Sequence, residues 1–132
     1  MSTRSAIIEK TDTGYRGIYV HHDGYREGVG KTLSLYYTNP ERVSALVDLG
    51  DLSSLGKNIN PTGPHSFDKP EKGVTVAYMR DRGEDDCQPT VGKTIKKVAE
   101  RIGHDGYVYV FKGDHWLCNG RRFKVILDED EE

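Results

Sequence analysis

The sequence has few cysteines and lacks the features of a secreted or membrane-inserted protein. Cys87 and Cys118 are its only cysteines, and they are too far apart to form a CxxC pair. No run approaches the roughly 20 apolar residues of a membrane-spanning helix. The opening MSTRSAIIEK also lacks the apolar core of a signal peptide. We therefore expect a protein of the reducing cytoplasm, with no disulfide and no membrane partner.

An excess of charge of one sign is also missing. The chain has 19 Lys and Arg residues against 21 Asp and Glu residues, and the C-terminal DEDEE holds five of the acidic ones. Without that tail the net charge is only about +3, which is too small and too dispersed for a duplex-binding surface. Nucleic acid is therefore not indicated as a partner. We predict that residues 128–132 form a disordered acidic tail.

Common motifs of catalysis and metal binding are absent from the sequence. There is no Gly-x-Ser-x-Gly elbow, and neither cysteine has a local catalytic signature. The histidines His65, His104 and His115 are scattered rather than placed at the spacing of zinc ligands. The sequence thus predicts no metal and no cofactor.

Alternating and β-branched residues predict five or six strands. They are 5–10, 16–22, GVTVAYM from Gly73, 107–111, 115–118 and 122–127. The first two are joined by a turn at TDTG, and the last three form a C-terminal meander because Gly113-Asp114 and Asn119-Gly120 are turn pairs. Residues 57–72 hold three prolines and are predicted to be a long loop, either a binding loop or a disordered excursion.

About three helices are predicted from apolar residues at helical spacing. One includes Val29, Leu33 and Tyr36 or Tyr37; the second begins after Asn39 as N-cap and ends at Gly50; the third covers 90–102, with Val91, Ile95, Val98 and Ile102 on its buried face. Strands and helices in this order predict a single α+β domain over residues 1–127, with the helices packed on an antiparallel or mixed sheet.

The stretch HHDGYREGVGKT, residues 21–32, ends in the Gly-Lys-Thr of a phosphate-binding loop. That motif needs a glycine five residues before Gly30, and the residue there is Tyr25. A second VGKT at 91–94 fails at the same spacing, so both copies are interpreted as first turns of helices with a buried Val. The glycine-rich helix start at 28–31 could still present backbone N–H groups to an anion.

His21 and Asp23 are predicted on one face of the second strand, with His22 on the opposite face at the edge of the core. A histidine oriented by a carboxylate can serve as a general base or stand behind a metal ligand. The alternative is a surface pair that ends the strand.

The segment RDRGED supplies a second polar group. Arg80 and Arg82 are interpreted as alternating with Asp81 along an extended segment, followed by Glu84. Such arginines can bind a phosphate or a carboxylate through bidentate hydrogen bonds. The alternative is a solvated, charged turn.

Four stretches, MSTRSAI, IYVHHDGYREGVGKTL, DLGDLSSLG and GVTVAYMRDRGED, resemble a family of small bacteriophage and prophage proteins. Its members open with Met-Ser-Thr-Arg-Ser, carry Cys-His-Trp-Asp-Gly-Tyr-Pro before Val-Gly and a helix, and contain Arg-Asp-Arg-Gly-Glu. The resemblance covers roughly residues 1 to 86. Val20, His22 and Arg26 depart from the motif, and the missing cysteine weighs against thiol chemistry. The resemblance implies a phage source and no particular activity.

These observations predict a phage or prophage accessory protein of the bacterial host cytoplasm that binds a host protein or a small anionic, nucleotide-like ligand. The predicted ligand-binding residues are His21, Asp23, Tyr25, Lys31, Arg80 and Arg82. The alternative is a metal-dependent phosphoester hydrolase in which His21 is the base, Asp23 orients it, and Glu84 places a metal or water. An acidic tail that contacts basic host surfaces is a third hypothesis, and a homo-oligomer is compatible with all three.

Overall fold

The computed structural model describes residues 3–103 and 106–123 of the chain. Within them, one mixed sheet of seven strands packs with four α-helices, which confirms the predicted α+β class. The strands are β1 (Ser5–Thr11), β2 (Gly14–Val20), β3 (Leu52–Ser54), β4 (Val76–Ala77), β5 (Thr90–Gly92), β6 (Tyr107–Phe111) and β7 (Trp116–Cys118). The helices are α1 (Lys31–Tyr36), α2 (Pro40–Asp48), α3 (Tyr78–Arg82) and α4 (Ile95–Ile102).

Strand β1 lies at the centre of the sheet, whose order is β4-β3-β2-β1-β6-β7. It pairs antiparallel with β2, with Ile7 opposite Ile18, and parallel with β6, with Ser5 opposite Tyr107. Ala6, Ile7 and Ile8 are all fully buried, because helices cover both faces of the sheet here. A strand buried on both faces is a continuous apolar run rather than an alternating one.

The larger core lies on the face covered by α1 and α2. Ile7, Ile18, Val20 and Leu52 from the sheet pack there against helix residues that include Leu33, Val43, Leu46 and Val47. The opposite face carries a smaller cluster of Ile8, Val98 and Val110, in which Val98 belongs to α4. The sheet is therefore stabilised by a large hydrophobic cluster on one face and a small one on the other.

The first two predicted helices are present. Val29, Leu33 and Tyr37 are buried as their spacing requires, although a π-helical turn (Arg26–Gly30) precedes α1. Helix α2 begins after Asn39, whose Oδ1 accepts the N–H of Arg42 at 2.8 Å. Both helices could be predicted because the signals that set them are local.

The predicted helix over 90–102 begins late. Thr90–Gly92 instead forms β5, which pairs with Tyr15, Arg16 and Gly17 of β2, and Val91 is 61% exposed rather than buried. Helix α4 begins after Thr94, whose Oγ1 accepts the N–H of Lys97 at 3.1 Å. The second VGKT therefore contributes Val91 and Gly92 to strand β5 and Thr94 to the N-cap of α4. Residues 90–92 are extended because the edge of β2 offers them backbone hydrogen-bond partners.

The predicted extended segment at RDRGED is also wrong. The strand from Gly73 is ordered as β4 only at Val76–Ala77, and the chain then enters α3. Asp81 Oδ2 accepts the N–H of Ala77 at 2.8 Å, which satisfies a donor at the start of the helix. Gly83, with φ of 74°, ends it in the left-handed conformation that glycine adopts readily.

Residues 55–75 contain neither helix nor strand, apart from an isolated bridge between Asn58 and Val74. At the other end of the sheet, Asn119 and Gly120 have φ of 52° and 84°, and Cys118 bridges to Arg121 across that turn. The rest of the predicted last strand, from residue 124, and the acidic tail lie outside the described residues. In the described part of the chain, every helix is too short or too polar to cross a lipid bilayer.

Candidate functional site

The turn that follows β2 is shaped by tight backbone packing. Asp23 has a φ of 58°, which short polar residues tolerate better than most others. Its carbonyl accepts the N–H of Val29 at 2.8 Å, which closes the turn onto the start of the π-helical turn. A Cβ at Gly24 would lie 2.7 Å from the backbone of Arg4, so no larger residue fits there. The polar residues of this segment are therefore held on a defined backbone.

A groove of about 660 Å³ opens beside this turn and along α1, and we call it the α1 groove. Its lining residues are Asp23, Tyr25, Glu27, Gly28, Val29, Lys31, Thr32, Leu35, Tyr36 and Leu55. Three of the predicted ligand-binding residues, Asp23, Tyr25 and Lys31, thus lie around one cavity. His21, Arg80 and Arg82 do not line it.

Three large apolar side chains of the α1 groove are exposed. Tyr25, Leu35 and Tyr36 are 38%, 39% and 45% exposed. Val91 on β5 is the other large hydrophobic residue exposed in the described part of the chain. Three of four such side chains therefore line one groove, and clustered apolar exposure of this kind is typical of an interaction surface.

The charges of the α1 groove do not favour an anion. Asp23 and Glu27 contribute two carboxylates against the single ammonium of Lys31. The hydroxyl of Tyr25 donates to Asp23 Oδ1 at 3.3 Å, and the negative charge of Asp23 raises the pKa of Tyr25. The groove therefore combines exposed apolar side chains with two carboxylates.

The backbone donors expected to hold an anion at 28–31 are already used. Gly28 N and Gly30 N donate to Tyr25 O, and Val29 N donates to Asp23 O. The N–H of Lys31 donates to the carbonyls of Arg26 and Gly28. The expectation of free N–H groups here is wrong, because the π-helical turn satisfies them internally.

His21 does not pair with Asp23 as predicted. Its Nδ1 lies 2.7 Å from the hydroxyl of Tyr19, two residues earlier on the same face of the strand. Burial lowers the pKa of His21, and the positive charges of His22 and Arg4 lower it further. The arrangement is a tyrosine–histidine pair, with Asp23 turned toward Tyr25 instead.

His22, predicted at the edge of the core, is exposed. Its Nδ1 donates to the carbonyl of Ser53 at 2.8 Å, so the ring lies along the end of β3. The strand has ended at Val20, although the N–H groups of His21 and His22 still donate to Leu52 and Ser53.

Arg80 holds the loop at 55–75 through hydrogen bonds to the main chain. Its guanidinium donates to Ile59 O at 2.8 Å, to Thr75 O at 2.7 Å, and to both carboxylate oxygens of Asp81. The geometry that the sequence predicted for binding a ligand carboxylate is thus filled by Asp81 of the same chain.

Arg82 lies over aromatic rings of the same region. Its guanidinium carbon is 5.0 Å from the ring centroid of Phe67 and 5.8 Å from that of Tyr78, and its Nε is 3.4 Å from Glu84. The RDRGE motif therefore orders a loop, which explains its residue types without a ligand.

The two predicted polar groups are each connected to the β3 region by a backbone hydrogen bond. Tyr78, which begins α3, donates its N–H to Asp51 before β3, whereas His22 donates to Ser53 near the end of that strand. Arg80 and Arg82 contact their own segment and do not line the α1 groove, so a recess shared by the HHDGY turn and the arginines stays a prediction.

Metal-ligating side chains do not converge in residues 3–103 and 106–123. No group of three or more His, Cys, Asp or Glu side chains there could hold a metal ion. Phosphoester hydrolysis by His21, Asp23 and Glu84 gains no support from this geometry and stays a prediction.

A second polar cavity, which the sequence did not reveal, lies on the other side of β2. This Asp51 recess has a volume of about 630 Å³ and is lined by Arg4, Tyr19, Asp51, Asp86, Gln88, Thr90, Arg101, Ile102 and Gly103. Asp51 Oδ1 accepts the N–H of Tyr19 at 2.9 Å, and burial raises the pKa of Asp51. Its residues come from distant parts of the chain, so no local pattern marks it.

Comparison of the chain with family models, with curated proteins and with solved structures finds no match.

Proposed function

We propose that this chain is a phage or prophage accessory protein that acts by binding a segment of a host protein in the α1 groove. The observation that carries the proposal is the clustering of exposed Tyr25, Leu35 and Tyr36 around one cavity. Tyrosine side chains supply large contact areas at low entropic cost, and they are enriched among the residues that dominate binding energy at interfaces. The resemblance of residues 1 to 86 to phage proteins supplies the proposed source.

The chemistry of the groove favours a protein segment over a nucleotide-like anion. Asp23 and Glu27 repel phosphate, and the backbone N–H groups of 28–31 donate within the chain. A segment that places an apolar side chain against Leu35 and Tyr36, and a Lys or Arg beside Asp23 and Glu27, matches both the apolar and the acidic parts of the surface.

Position-specific cross-linking tests this proposal. A photoreactive phenylalanine derivative replaces Tyr36 in one variant and Val91 in another, so that two exposed apolar positions are compared in the same cells. We expect a discrete adduct with one bacterial protein from position 36 and none from position 91. Equal labelling from both positions would contradict a specific groove.

The partner identified from that adduct is then purified and its affinity measured by calorimetry. Leu35→Ala should weaken binding about fivefold or more, because truncating a central apolar contact costs upwards of about 1 kcal/mol. Val91→Ala should leave the dissociation constant unchanged. If Leu35→Ala binds as tightly as the unmodified chain, the α1 groove is not the binding site.

A further inference from the structure

The Asp51 recess brings opposite charges to one cavity without pairing them. Arg4 and Arg101 line it together with Asp51 and Asp86. Among the described residues, none of these four side chains lies within ion-pair distance of another charged group. Arg101 donates to the carbonyl of Val91, and neither Asp51 nor Asp86 accepts from a guanidinium.

Asp51 is the least exposed of the four. It is half-buried, and in the described part of the chain the N–H of Tyr19 is the only hydrogen-bond donor to its carboxylate. That bond engages Oδ1, which leaves the lone pairs of Oδ2 without a protein donor. Burial raises the pKa of this carboxyl, and the single backbone hydrogen bond only partly opposes the shift. A carboxylate held in this way is stabilised by a cationic hydrogen-bond donor.

The positive charges lie on the same recess around Tyr19. Burial raises the pKa of Tyr19, the nearby positive charge of Arg4 opposes that shift, and Asp51 adds to it. Tyr19 therefore lies near both a positive charge, that of Arg4, and a negative charge, that of Asp51. Arg101 reaches the recess from the last turn of α4, and its guanidinium retains donors beyond the one used by Val91.

We infer that the Asp51 recess binds a small zwitterion of the size of an amino acid or dipeptide, with its ammonium on Asp51 and its carboxylate on Arg4 and Arg101. An anion alone meets Asp51 and Asp86, and a cation alone meets two arginines. A ligand with both charges compensates both. The volume of about 630 Å³ falls within the range of small-molecule sites.

The test uses matched ligands and the full chain labelled with ¹⁵N. L-Glutamine, L-alanine and glycylglycine are titrated to about 50 mM, a range that covers millimolar dissociation constants. 4-Carbamoylbutanoate and 4-aminobutanamide are glutamine without its ammonium and without its carboxylate. At least one zwitterion should shift the amide signals of Tyr19, Asp51 and Thr90, with glutamine binding about tenfold more tightly than either single-charge analogue if it is the one that binds.

Variants assign the binding to named groups. Asp51→Asn keeps an oxygen acceptor for the N–H of Tyr19 and removes only the charge, so the fold is retained. It should weaken the zwitterion about tenfold or more, as should Arg4→Gln, whereas Glu27→Gln in the α1 groove should have no effect. The inference is overturned if no zwitterion shifts these signals, or if Asp51→Asn binds as tightly as the unmodified chain. Neither result bears on the proposal that the α1 groove binds a protein segment, because the two cavities are separate.

Discussion

Side chains whose chemistry suits a ligand can instead bind groups of the protein itself, and Arg80 is the example here. Arg80 has the fork of donors that suits an anionic ligand, yet it donates to Ile59 O, Thr75 O and Asp81. Asp23, Tyr25 and Lys31 do share a cavity, because they are close in the chain and one tight turn brings them together. The sequence could predict the grouping of Asp23, Tyr25 and Lys31. It could not predict the contacts of Arg80, because they depend on where a distant loop folds.

Replacing Arg80 should therefore cost stability. Arg80→Ala removes the guanidinium that donates to two main-chain carbonyls and to Asp81, and we expect a loss of about 2–3 kcal/mol in the free energy of unfolding. Arg82→Ala removes an exposed contact with Phe67 and should cost about 0.5–1 kcal/mol. Urea denaturation of both variants measures the difference. Equal, small losses would mean that Arg80 does not hold the loop.

Replacing Asp51 should raise the stability of the protein in a pH-dependent way, whereas replacing Arg80 lowers it. Its pKa is raised in the folded state, so the folded protein binds this proton more tightly than the unfolded chain, and ionisation costs stability above the folded pKa. Asp51→Asn should therefore be more stable than the unmodified chain at pH 7, by less than about 1 kcal/mol because the group is only half-buried. The difference should vanish as the pH falls below the unfolded value of about 3.9. Thermal unfolding at the two pH values measures it, and a variant that is less stable at pH 7 would contradict the assignment.

Among the elements, those fixed by neighbouring residues agree with the sequence, and those fixed by distant partners do not. The cap at Asn39 and the turn at Asn119-Gly120 could be predicted from the sequence, because the residues that determine each lie within four positions of one another. Strand β5 was not, since Thr90–Gly92 is extended only where β2 offers it a partner. Helix α3 is five residues long, too short for an apolar period to reveal.

The segment at 55–75 should depend on one buried histidine. Glu71 N donates to His65 Nδ1 at 3.0 Å, and His65 Nε2 lies 3.2 Å from Asp81 Oδ2, with both side chains almost fully buried. His65→Ala removes this connection between the loop and α3. We expect cleavage within residues 57–72 under native-state proteolysis to become about tenfold faster, which corresponds to about 1.4 kcal/mol in the opening equilibrium.

Asp68, an exposed residue of the same segment, provides the matched control. Asp68→Ala should be cleaved at the rate of the unmodified chain. If His65→Ala and Asp68→Ala behave alike, the buried pair does not restrain the segment.

At the scale of the whole molecule, the two faces of the sheet are unequally filled. The face under α1 and α2 buries the larger cluster, whereas α4 packs through Val98 on Ile8 and Val110, with partly buried neighbours. Fewer buried contacts mean a lower cost of local opening. Composition and periodicity predicted the fold class and the buried faces of α1 and α2, but they do not state which helix covers which face of the sheet.

Hydrogen exchange should reveal this inequality. We expect the amides of α4 to exchange with a smaller opening free energy than those of β1 and α2. Val98→Ala should widen the gap, because truncating a fully buried valine costs roughly 1–3 kcal/mol in its own cluster. Leu35→Ala, on exposed surface, should not. Uniform protection across all helices would mean that the two clusters open as one unit.

The parallel pairing of Ser5 with Tyr107 has a consequence for synthesis on the ribosome. Among the described strands, the central β1 is translated first, whereas β6, which covers one of its edges, is translated next to last. Until Phe111 has emerged, the nascent β1–β2 hairpin keeps one edge unpaired and open to other chains. A stalled nascent chain that ends before Tyr107 should therefore bind a holdase chaperone, and one extended beyond Cys118 should release it.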